Sequence, residues 1–97
     1  MRLKKENIEI IKTLAKKYFG EDAKVYLFGS RIDDNKKGGD IDLYIETDVK
    51  DNIIEKKIKL IGELHKELGE QKIDIVINNF THNKIIYQIA KEEGIPL

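Results

Sequence analysis

The sequence predicts an α/β chain of the α+β kind, a small mixed sheet of about three strands packed with helices, in the order α-β-loop-β-α-β-α. Three observations predict it. Apolar residues recur at helical spacing in three separate stretches, and they alternate at period two within residues 40–46 and 72–77. A long helical stretch separates the last two strands, which demands a right-handed crossover and hence a parallel pair. The first two strands are joined by a short loop and are expected to pair antiparallel. At 97 residues the chain has room for one core, and residues 1–97 read as a single domain.

Taken in order, Ile8, Ile11, Leu14, Ala15 and Tyr18 form one helical stripe among Lys and Glu, predicting a helix over residues 4–19 that Gly20 stops. Residues 24–28, Lys-Val-Tyr-Leu-Phe, hardly alternate and predict a central strand buried on both faces. Gly29 and Ser30 close it. Residues 31–39 read as a loop, because Asp33, Asp34, Asn35, Gly38 and Gly39 are turn formers and only Ile32 is apolar. In the second strand, residues 40–46, Ile41, Leu43 and Ile45 point to the core, and Asp40, Asp42, Tyr44 and Glu46 point away from it.

Ile53, Ile54, Ile58, Ile61, Leu64 and Leu68 predict a second long helix, ended by Gly69. In the third strand Ile73, Ile75 and Ile77 share one face and Asp74 lies on the other. A turn at Asn78-Asn79-Phe80 leads to Thr81, expected to be the N-cap of a last helix carrying Ile85, Ile86, Ile89 and Ala90 and closed by Gly94 and Pro96.

Composition narrows the function classes. Lys+Arg 18 balances Asp+Glu 18, so no global field draws in nucleic acid or an anionic membrane, and direct nucleic-acid binding is not expected. The absence of cysteine rules out disulfides and thiolate metal sites. No apolar run approaches a membrane span, and the charged start is unlike a signal peptide, so the chain is expected in the cytoplasm.

The chemistry concentrates in residues 25–46. Strands disfavour Asp, yet Asp40 and Asp42 stand two residues apart in one and project from the same face. Carboxylates held that close repel unless a cation sits between them. Mg²⁺ takes oxygen ligands and is commonly held by one or two carboxylates plus substrate phosphates. Gly29 lets backbone approach a phosphate, and Ser30 offers a hydroxyl and an N–H to it. No Walker A pattern is present. Asp74, on the neighbouring strand, is a candidate third ligand or a candidate base to take a proton from an attacking hydroxyl.

Each residue also has a plainer reading. Asp40 and Asp42 could line a water-facing strand, Asp74 could deter edge pairing, and Ser30 could be a turn residue. Arg31 could pair with Asp33 or Asp34 instead of a triphosphate. Lys36 and Lys37 fit a solvated loop tip. His65 and His82 lack ligand partners at usable spacing. Tyr44 shares the face of the acidic pair.

Gly29-Ser30, the loop, and Asp40-Ile41-Asp42-Leu43 resemble the GS…DxD signature of the DNA polymerase β-like nucleotidyltransferase superfamily. The small size is similar to the minimal nucleotidyltransferases of bacteria and archaea, the MntA-like antitoxins paired with HEPN-domain toxins. That resemblance implies a nucleotidyltransferase fold. It implies that Gly29, Ser30 and Arg31 hold the triphosphate of ATP. It further implies that Asp40, Asp42 and Asp74 form a catalytic triad binding one or two Mg²⁺. The implied reaction moves AMP from ATP to a tyrosine hydroxyl of a HEPN-type toxin partner, silencing it. The alternative is a non-catalytic antitoxin that neutralises its partner by complex formation. The loop departs from the family pattern: Ile32-Asp33-Asp34 follows Arg31 where many relatives carry a second Arg and a Gly.

Overall fold

A computed structural model describes residues 3–29, 40–69 and 71–97. Its elements are α1 (Lys5–Phe19), β1 (Lys24–Phe28), β2 (Ile41–Glu46), α2 (Ile53–Leu68), β3 (Ile73–Asn78), α3 (Ile85–Glu93) and β4 (Ile95–Pro96). The strands form one mixed sheet in the order β3-β2-β1-β4. β1 pairs antiparallel with β2 and with β4, and β2 pairs parallel with β3. The α+β class, the element order and the pairing senses follow the sequence pattern.

Side-chain alternation divides the sheet into two faces. On one, Val25, Leu27, Ile41, Leu43, Ile45, Ile73 and Ile75 meet Ile11, Ala15 and Phe19 of α1 and Leu60 and Leu64 of α2. Each aliphatic side chain fully buried there contributes about 1.5–3 kcal/mol relative to exposure. Both long helices turn one apolar stripe to the sheet and end at Gly20 and Gly69, each at positive φ. At the surface, Lys17 Nζ lies 2.7 Å from Glu63 Oε1 and links α1 to α2.

The other face carries Tyr26, Asp42, Tyr44 and Glu46, and α3 crosses it. The rings of Tyr26, Tyr44 and Tyr87 form a ladder with centroids 5.6 Å and 6.1 Å apart. Glu46 Oε2 accepts from the Tyr44 hydroxyl at 2.9 Å and pairs with Lys91 at 3.2 Å. Asn78 donates its Nδ2 to the Tyr44 oxygen at 3.0 Å and accepts the Phe80 N–H on Oδ1 at 2.9 Å. Tyr44, Glu46 and Asn78 are all buried, so this chain of bonds satisfies polar groups that would otherwise be costly to enclose.

Three expectations are corrected. A fourth strand, β4, joins the sheet, and Leu97 N–H donates to Val25 O at 2.9 Å just beyond it. β1 is buried on one face only; the strand enclosed on both is β2. Thr81 is no N-cap: its hydroxyl donates to Asn79 Oδ1 at 2.6 Å, and α3 starts four residues later behind an extended Lys84 with no side-chain cap.

Candidate active site

The register of three strands assembles the site. Phe28 stands opposite Asp42 in the antiparallel pair, and Asp42 stands opposite Asp74 in the parallel pair. The two acids therefore sit side by side, on strands about 4.8 Å apart, on the face away from the main core. Asp40 precedes β2 by one residue and alternates onto the same face. Ile41 N–H donates to Lys72 O at 2.9 Å, so Asp40 and Lys72 flank the pair of acids on its N-terminal side.

Exposure differs along this row. Asp40 and Asp42 are half-buried. Asp74 lies on the outer strand with 56% of its side chain exposed, and Lys72 Nζ is 3.9 Å from its Oδ2. Burial raises the pKa of Asp42 above the usual carboxylate range. The charges of Asp74 and then Asp40 push it the same way, and Lys72 opposes them. Of the two like charges beside Asp42, the cross-strand neighbour outweighs the one on its own strand.

Gly29 ends β1 against this pair. Its φ is +80°, a conformation L side chains rarely adopt, and a Cβ there would collide with Asp42 Oδ2. The missing side chain is what lets the Asp42 carboxylate lie against the strand end. Ser30 and Arg31, expected to hold a triphosphate, fall outside the described residues, as do Lys36 and Lys37.

The donor set fits a hard divalent cation. Asp42 and Asp74 offer oxygen only, at a spot where their mutual repulsion is felt and where Gly29 leaves room. Two carboxylates with substrate phosphates and water make up a common Mg²⁺ sphere. Among the described residues, no group of three or more acidic, histidine or cysteine side chains is gathered so that it could hold a metal ion by itself. The arrangement is a cross-strand pair with a flanking third acid, and a nucleotide would supply further oxygens.

Two residues at the site were not singled out from the sequence. Phe28 is the register neighbour of Asp42, and Lys72 is the ion-pair partner of Asp74 among the described residues. The spacing Lys72-Ile73-Asp74 was the available signal for the second, since i and i+2 share a strand face. Tyr44 is turned under α3 and fully occupied by Glu46 and Asn78, so it belongs to the fastening of α3 and not to an open site wall. His65 is engaged with Gln71 O at 2.9 Å.

A family model described as Polymerase beta, Nucleotidyltransferase matches residues 9–95, which include every described site residue. No curated protein matches the chain. Among the described residues no helix is long and apolar enough to cross a membrane.

Proposed function

The chain belongs to the polymerase β nucleotidyltransferase family, and from that membership we propose that it transfers AMP from ATP to a tyrosine hydroxyl of a HEPN-type toxin partner and so acts as its antitoxin. The observation that carries the reading is the side-by-side placement of Asp42 and Asp74 against the bare strand end at Gly29. Carboxylates arranged in this way suit a triphosphate accompanied by Mg²⁺.

Asp40 and Asp42 would hold Mg²⁺, with Asp74 adjoining; the ion supplies charge neutralisation on the phosphates when bound. Asp74 is the exposed acid and stands where an acceptor can reach it. It takes the proton of the tyrosine hydroxyl. The tyrosine oxygen forms a bond to the α-phosphorus, the bond from that phosphorus to the bridging oxygen of the β-phosphate breaks, and pyrophosphate leaves with the electron pair. Asp42 sits on a strand anchored in the core through Ile41, Leu43 and Ile45, so its carboxylate is held in place without reorganisation.

The test is incubation of the protein with α-labelled ATP, Mg²⁺ and the toxin partner. Label on a partner tyrosine with wild type, and none with Asp42→Asn, supports the reading. An unlabelled partner with folded protein overturns it. A second reading, neutralisation by binding alone, draws on the exposed isoleucines Ile54 and Ile58 of α2 and Ile85 of α3. It gains if Asp42→Asn still protects cells from the toxin.

A further inference from the structure

The two margins of the sheet are finished differently. On one side β1 is capped by β4, a strand of two residues containing Pro96. On the other, β3 runs for six residues and, among the described strands, pairs with β2 alone. We propose that this free margin of β3 receives an extended segment of the acceptor protein as an added antiparallel strand, which brings a tyrosine hydroxyl to Asp74. The inference rests on the transferase reading above and names how that site takes its acceptor.

Hydrogen-bond parity supports it. Ile41 N–H donates to Lys72 O at 2.9 Å and Thr47 N–H donates to Asn78 O at 3.0 Å. In a parallel pair this parity turns the N–H and C=O of Asp74 and Val76 toward β2 as well, and those of Ile73, Ile75 and Ile77 outward. The outward row is a ready donor and acceptor template. Strands that must avoid such pairing carry a proline, a bulge or several charges. β3 has no proline, its register with β2 is unbroken, and its one charged residue is Asp74.

Parity also places the chemistry. In an antiparallel addition, Ile73, Ile75 and Ile77 would make the hydrogen-bonded pairs. Asp74 and Val76 would fall at non-hydrogen-bonded pairs, where facing Cα atoms approach to about 4.5 Å. Side chains of the added strand beside Asp74 would lie on the same face as Asp42. A tyrosine one same-face position along is about 7–8 Å away on the diagonal, a span its ring crosses. Intervening side chains would continue the opposite face, where Ile77 is only half-buried against the core. The fitting segment therefore alternates apolar residues with the face that bears the tyrosine.

The probe is a nine-residue peptide of alternating valine and threonine with a central tyrosine and a lysine at each end, and free tyrosine amide is the reference acceptor. With α-labelled ATP and Mg²⁺, the peptide is expected to accept label at least about tenfold faster than equimolar tyrosine amide. N-methylation of alternate peptide amides should abolish that advantage. So should replacing the Ile75 and Ile77 amides of the protein by esters, which removes outward N–H donors and keeps both side chains. Labelling of tyrosine amide should stay unchanged in the ester protein, which reports an intact site. A peptide no better than tyrosine amide, or an advantage that survives both backbone changes, overturns the added strand and leaves the transferase reading standing. Labelling of neither acceptor by protein that labels its toxin partner also overturns the added strand, whereas a toxin partner left unlabelled in the same assay sinks the transferase reading and this inference with it. Slowed amide exchange at Ile73, Ile75 and Ile77 in the protein alone, rising with its concentration, would assign the margin to a second copy of the chain and overturn the proposal.

Discussion

Oδ2 of Asp42 fills the space in which a Cβ on Gly29 would stand. One residue follows the last of β1 and the other is the second of β2, 13 positions later, yet each sets the other's place. Gly29→Ala must move the carboxylate and also strain a backbone at φ +80°. A loss of about 1–3 kcal/mol in stability is expected, measured by urea unfolding. Nucleotide affinity, measured by calorimetry with Mg²⁺ and a non-hydrolysable ATP analogue, should fall as well.

Removing the charge of Asp42 should separate stability from activity. Burial, Asp74 and Asp40 together raise the carboxyl pKa in the folded state, so the native protein binds this proton more tightly than the unfolded chain does. The stability linked to it is full below the unfolded pKa of about 3.9 and is lost as pH rises through the higher folded value. At neutral pH, without divalent cations, Asp42→Asn is expected to melt about 2 °C above wild type, and the gain should vanish near pH 3. Transferase activity of the same variant should drop at least about 100-fold.

Tyr44 gives an alkaline counterpart. Burial pushes its phenol up to about 12; the Asn78 hydrogen bond lowers the value and the Glu46 bond raises it. Its contribution to stability is complete below the unfolded value of about 10 and is lost as pH rises through the folded one. Absorbance titration of the phenolates should show an ionisation near pH 12 that is missing from Tyr44→Phe.

Asn78 supports both the Tyr44 hydroxyl and the Phe80 N–H, the latter in a turn where Phe80 has φ +63°. Asn78→Ala leaves buried polar groups without partners. It should cost about 1–3 kcal/mol, seen as a lower urea midpoint at unchanged slope. Label transfer at the distant carboxylates should survive wherever the variant remains folded.

The part of this molecule legible in the sequence is the part governed by periodicity. Ile41, Leu43 and Ile45 alternating with Asp40, Asp42 and Tyr44 fixed the two faces of β2, and the long α2 fixed the sense of β3. Those two facts put Asp42 beside Asp74. β4 carried no comparable sign, because two residues have no period and Ile95 pairs with Leu27 across most of the chain. Thr81 misled for a chemical reason: its hydroxyl found the Asn79 side chain before any helix N–H. The sequence pattern puts Glu46 on the β2 face away from the core and Asn78 in a turn. They are register partners under α3, and only the placement of that helix turned them inward.

β2 serves two masters with alternate residues, and this limits how the gene can drift. Insertion or deletion of a single codon within residues 41–46 would exchange the two sets, sending acids into the hydrocarbon interior and isoleucines to the face that carries Asp74. Length variation among descendants of this sequence should therefore be absent from that six-residue window and accumulate outside it, while conservative replacements inside it remain permitted so long as their parity is kept.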